Sequence, residues 1–139
     1  MTILVIDGHG GGLGRQIISS LKADHPDCVI HAVGVNSIAT AAMLKAGADT
    51  AATGENAVLV GCRKADVIIG PIGIVIADAM LGEITPAMAV AVGQSRAKRI
   101  LVPMNLCDNT IIGVMEQPIG QAVQGVLRAV AQLIREPQQ

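Results

Sequence analysis

The stretch DGHGGGLGRQ, from Asp7 to Gln16, directly follows the apolar run TILVI and holds five glycines, with Asp7 and Arg15 its only charged side chains. Glycine lets a backbone take positive φ and lets a bulky group approach without a Cβ in the way. Where such a loop opens a helix, the first amides are unpaired and the positive end of the helix dipole stands behind them. A phosphate or pyrophosphate suits that arrangement. The residues that would form the cradle are Gly8, His9, Gly10, Gly11, Gly12, Leu13 and Gly14. A tight turn that merely permits close packing is the plainer alternative, but five glycines in seven residues exceed what such a turn requires.

Two glycine spacings bear on the ligand. Gly8-x-Gly10 would need a third glycine at position 13 for the simple dinucleotide fingerprint, and Leu13 stands there. Gly8, Gly12 and Gly14 instead fit G-x-x-x-G-x-G, which resembles the cofactor loop of short-chain dehydrogenases. Those enzymes move a proton with a tyrosine, and this chain has none. A site of the NAD kind normally carries an acid after the second strand for the ribose hydroxyls. Asn36 and Ser37 occupy that place. Neither repels a phosphate, so NAD, NADP, a mononucleotide and phosphate itself all remain open as ligands.

Other polar residues are candidates for work beside the loop. Asp7, Glu55 and Asn105 have the chemistry for hydrogen bonding or proton transfer. Their plainer roles are turn bonding for Asp7 and dipole complementation at a helix start for Glu55. Gly70, Pro71 and Ile72 form a turn able to line a ribose or a second phosphate. With no aromatic residue in the chain, a purine would lie against Ile72, Ile38 or Met104. His9, His25 and His31 are scattered, and Cys107 with Asp108 lacks metal-ligand spacing, so no metal is expected. Cys107 has no evident histidine partner for nucleophilic work.

These residues need elements to place them. Thr2–Asp7 reads as a strand buried on both faces, followed by the glycine loop and a helix to about Ala23 that His25-Pro26 ends. Strands at Val29–Val35, Thr50–Thr53, Asp66–Gly70 and Arg99–Met104 alternate with helices at Ser37–Lys45, Glu55–Lys64, Gly73–Leu81 and Pro86–Gln94. Thr110–Met115 reads as a sixth strand, antiparallel at an edge, and Ile119–Arg135 as a closing amphipathic helix. This alternation predicts a single α/β domain over residues 1–139, Rossmann-like and three-layered, with a mostly parallel sheet of five to six strands. The candidate residues all fall at the carboxyl ends of strands, where open α/β sheets bind ligands.

Composition narrows the partners. Of the 139 residues 51% are hydrophobic and 15% charged, and the net charge is −1. A balance so near neutral lacks the basic face a nucleic acid demands, and without aromatics there is no base-stacking platform. Val67–Ala77 is the longest charge-free apolar run, and it is too short to span a bilayer. No signal-peptide pattern opens the chain, and three cysteines without pairing suit a reducing cytoplasm. The sparse polar coat implies self-association. The region from Ile74 to Val92, apolar nearly all round, is the expected interface.

Several longer stretches carry a family likeness: VIDGHGGGLGRQI, NSIATAAMLKAGAD, ATGENA, IIGPIGIVIADAMLGEITP and ILVPMN. On these the chain resembles a bacterial family known as domain of unknown function 3842, across almost its whole length. The resemblance implies a Rossmann-like fold and no defined reaction. The functional expectation is therefore a nucleotide-binding or NAD(P)-type module using the glycine loop. A small enzyme acting on a phosphorylated metabolite is the alternative, and a structural oligomer subunit with a vestigial loop is the third reading.

Overall fold

Five successive uncharged residues before Asp7 make Thr2–Asp7 (β1) suited to the middle of a sheet, and it is flanked there on both sides. The computed structural model describes residues 1–104 and 108–136. Its other strands are Val29–Gly34 (β2), Thr50–Thr53 (β3), Val67–Pro71 (β4) and Lys98–Val102 (β5). All pair in parallel, in the order β3-β2-β1-β4-β5. The helices are Gly12–Asp24 (α1), Ser37–Lys45 (α2), Glu55–Lys64 (α3), Pro86–Gln94 (α4) and Ile119–Arg135 (α5).

The alternation of side chains along β1 divides the core in two. Ile3 and Val5 join Leu13, Ile17 and Leu21 of α1, Met43 of α2 and Val123, Val126 and Val130 of α5. Leu4 and Ile6 point the other way, to Val58 and Cys62 of α3 and Met88 and Val92 of α4. The domain is thus helix–sheet–helix, as the chain pattern predicts. Strand order reverses between β1 and β4, so the chain leaves these neighbours toward opposite faces. A crevice opens at such a switch point, outside the strand carboxyl ends. Register aligns those ends: Asp7 stands opposite Gly34, Gly34 opposite Thr53, and Pro71 opposite Val102.

Two expected elements are not formed. Thr110–Met115 is irregular chain and turn, not a sixth strand. Gly113 takes φ 84°, and the Val114 N–H donates to the Ile111 carbonyl, which turns the chain where a strand would run straight. Ile112 and Met115 are left 91% and 82% exposed. The expected Gly73–Leu81 helix is a 3-10 turn, Ile72–Val75, followed by a knot of turns. Asp78, Met80 and Leu81 all have positive φ, and Gly82 has φ 87°. The apolar residues there are real core residues, but a folded turn buries them instead of a helix.

That knot also changes the surface argument. Ile74, Met80, Ile84, Met88 and Val92 are buried in their own chain, so the Ile74–Val92 region is not apolar surface all round. Leu81 is what remains fully outside, 98% exposed, with Val90 half-exposed.

Candidate functional site

The loop is built around Asp7. Buried at the end of β1, its carboxylate accepts the Gly8 N–H at 2.8 Å through Oδ1 and the Gly14 N–H at 2.7 Å through Oδ2. The side chain thereby joins both ends of the loop. Burial pushes the carboxyl above the ordinary aspartate range, while the Gly14 and Gly8 amides pull it back down. Between these anchors, the Gly11 N–H donates to the Gly8 carbonyl at 2.9 Å, with His9 at φ 50° and Gly11 at φ 74°.

The glycines divide by what a side chain would meet. A Cβ on Gly8 would lie 2.7 Å from Met80 Sδ and 2.8 Å from Val35. On Gly11 it would meet the Ala39 backbone at 2.9 Å, and on Gly14 Met43 Sδ at 2.6 Å. Packing therefore demands glycine at these three. Gly10 and Gly12 differ: neither has positive φ, and a Cβ on either would have nothing within 4 Å. Among the described residues, the N–H groups of Gly10, Gly12 and Leu13 have no acceptor. They form an open cradle. Two grooves, of about 740 Å³ between α3 and α4 and about 600 Å³ between α1 and α2, do not include the cradle, although the second begins just beyond it at Arg15 and Gln16.

Asn36 is the hub beside the loop. Its Oδ1 caps α2 by accepting the Ala39 N–H at 2.8 Å. That fixes its amide nitrogen toward the loop, where it donates to the His9 carbonyl at 2.9 Å and to Glu83 Oε2 at 2.8 Å. Ser37 is exposed on the first turn of α2, and Ile38 beside it is 70% exposed. Gly70 and Pro71 are buried in β4, where a Cβ on Gly70 would stand 2.5 Å from the Ile6 carbonyl. Ile72 and Met104 are half-buried.

The acidic candidates are already occupied. Both oxygens of Asp7 hold amides. Glu55, exposed at the start of α3, accepts the Thr85 hydroxyl at 2.6 Å, and the same hydroxyl caps α4 through the Met88 N–H. Asn105 and Cys107 lie outside the described residues. His9 is exposed on the loop, while His25 follows the far end of α1 and His31 pairs with Leu4 in mid-sheet, three residues before Asp7 along the register. Among the described residues no group of three His, Cys, Asp or Glu side chains is placed to hold a metal ion. Cys62, in the core against α4, is pushed up to about 11 by burial.

Sequence reasoning did not place Met80, Glu83 or Thr85 beside the candidate residues: Met80 falls in the expected Gly73–Leu81 helix, and Glu83 and Thr85 lie between it and the next. The available signal was Glu83 itself, a lone acid in the apolar run AMLGEITP.

Residues 2–135 match the family model described as a domain of unknown function, number 3842. The chain belongs to the domain of unknown function 3842 family. Membership covers the loop, Asn36, the turn knot and every strand of the sheet. A crystal structure of a dodecameric FMN-dependent UbiX-like decarboxylase from Escherichia coli O157:H7 is similar in fold, with a TM-score of 0.51 and 18% sequence identity. The likeness covers 99% of this chain and 98% of that one. No curated protein matches. Among the described residues no helix is long and apolar enough to cross a membrane.

Proposed function

We propose that this domain is a nucleotide-binding module in which residues Gly8–Gly14 hold a phosphate of a mononucleotide or an NAD(P)-type dinucleotide. One observation carries the reading: Gly10 and Gly12 are glycines that neither φ nor packing requires, and they face open space beside amides without acceptors. A phosphate oxygen on those amides gives both facts one cause. The position at the switch point of a β3-β2-β1-β4-β5 sheet agrees with it. So does the FMN named for the structural neighbour, itself a phosphate-bearing nucleotide. Ile38 and Ile72 supply the aliphatic surface against which a base would lie.

Binding is favoured over catalysis because Asp7 and Glu55 spend their carboxylates on the fold. The module self-associates, with Leu81 and the Ile112–Met115 stretch as the apolar surface available for contact. The dodecameric neighbour accords with this, as does a chain with only 15% charged residues.

Calorimetric titration with FMN, NAD and NADP tests the loop, using wild type and Gly12→Val. Open space at Gly12 lets the variant fold, and the valine then stands where the phosphate would sit. A folded variant with unchanged affinity refutes the reading. Native mass spectrometry of the purified protein reads the oligomer and any ligand it carries.

A further inference from the structure

The turn knot between the 3-10 turn Ile72–Val75 and α4 brings one carboxylate to the loop from far along the chain. Glu83 is held rigidly. Asp78 N–H donates to the Ile84 carbonyl at 2.8 Å, Gly82 N–H to Asp78 and Glu83 N–H to Met80, each at 3.1 Å. Met80 and Ile84 on either side are buried in the core. Glu83 Oε2 takes the Asn36 amide, and Oε1 faces the loop, 3.9 Å from where a Cβ on Gly8 would stand. Among the described residues Oε1 has no hydrogen-bond donor.

Asn36 ends the β2–α2 turn, the place where a dinucleotide site keeps an acid for the ribose hydroxyls. Both amide hydrogens of Asn36 are already used, by His9 and Glu83. The group with spare hydrogen-bonding capacity at this place is therefore Glu83. We propose that Glu83 supplies in space the acid that the sequence lacks after β2, and that it selects a ribose with a free 2′-hydroxyl over one bearing a 2′-phosphate. This rests on the phosphate reading of the glycine loop and decides between the NAD and NADP types.

The physical basis is a difference in charge and hydrogen bonding. A ribose hydroxyl donates to Oε1 and gains a charge-assisted bond. A 2′-phosphate has no proton to offer at neutral pH and meets a like charge instead. The carboxylate cannot swing clear without giving up Asn36. Discrimination thus comes from repulsion of the wrong ligand as much as from attraction of the right one.

The test is calorimetric titration of the intact protein with NAD, NADP and FMN, for wild type and Glu83→Gln, with thermal melting to confirm the fold. Wild type is expected to bind NAD at least roughly tenfold more tightly than NADP. Glu83→Gln is expected to abolish that ratio, chiefly by improving NADP. The glutamine keeps an oxygen for Asn36, so the loop geometry survives. Equal affinity for NAD and NADP in wild type overturns the proposal and leaves the loop reading standing. FMN binding with neither dinucleotide bound does the same. Failure of all three to bind removes the loop reading and the proposal together. Should the variant not fold, the wild-type ratio still decides.

Discussion

Asp7 Oδ2 accepts the Gly14 N–H at 2.7 Å, across the full width of the glycine loop. With the Gly8 N–H on its other oxygen, this one carboxylate closes the loop on itself. The amides it leaves over, those of Gly10, Gly12 and Leu13, are the ones the proposed phosphate would take. An asparagine cannot copy the arrangement, since one of its two terminal atoms is a donor and would face an amide donor. Asp7→Asn should destabilise the protein by about 1–3 kcal/mol, read from urea unfolding at neutral pH. Full retention of stability would show that the two bonds contribute nothing.

The same carboxylate sets a pH dependence of known sign. Burial raises its folded value above the ordinary 3.8, so the folded chain holds this proton more firmly than the unfolded one. Its contribution is fully present below the unfolded value and is lost as pH rises through the folded one. The stability gap between wild type and Asp7→Asn should therefore narrow as pH climbs out of the strongly acid range. Carbon-detected titration of Asp7 should give a midpoint above 3.8, and a lower midpoint would reverse the sign.

Asp49 provides the opposite sign in the same fold. Its Oδ2 takes the Ile30 N–H at 2.7 Å and Lys22 Nζ at 2.6 Å, tying the start of β2 to α1. The Ile30 amide first, and Lys22 second, hold its carboxyl below the usual aspartate value. That contribution is present above the unfolded value and lost as pH falls through the folded one. Since the group is exposed, the effect should stay below about 1 kcal/mol. Asp49→Asn should cost stability at pH 6 and nothing once pH is well below the folded value, as urea midpoints at each pH would show.

Much of this architecture was legible because local signals agreed with the fold. The helices Ser37–Lys45, Glu55–Lys64, Pro86–Gln94 and Ile119–Arg135 begin and end where their caps and periodicity place them. Asn36 and Thr85 announce their helices, since each side chain accepts an N–H of the turn it precedes. The turn knot was illegible for a physical reason. Asp78, Met80 and Leu81 adopt left-handed φ with no glycine to signal it, because burial of Met80 and Ile84 outweighs the local strain. Gly82 alone hinted at a turn. The candidate residues nearest the chain start stand together in one contiguous motif, so their proximity could be read directly. Glu83, contributed by that knot, required the third dimension.

The glycines give a graded set of outcomes. Gly11→Ala combines left-handed φ with a Cβ 2.9 Å from the Ala39 backbone, and backbone cannot step aside as a side chain can. It should cost roughly 2 kcal/mol or more. Gly12→Ala meets nothing and sits in a helix first turn, so its stability should match or exceed wild type. Thermal melts of the two variants side by side would establish this. Equal losses at both positions would mean that the loop is not divided into structural and ligand-facing glycines.

Leu81 presents an apolar side chain almost wholly to solvent, on a backbone at φ 57°. Left-handed backbone costs a non-glycine residue roughly 1–2 kcal/mol, and asparagine tolerates it best after glycine. Within one chain the leucine recovers nothing for that strain, since it touches no core. Contact with a second copy would recover it, by burying apolar area that water now covers. Leu81→Asn should therefore leave the monomer as stable or slightly more so, while weakening self-association at least about tenfold, a loss of about 1.4 kcal/mol. Sedimentation equilibrium across a dilution series, paired with urea unfolding at low concentration, separates the two effects. An unchanged oligomer with a more stable fold would place the interface elsewhere, and the exposed Ile112–Met115 stretch would be the surface to alter next.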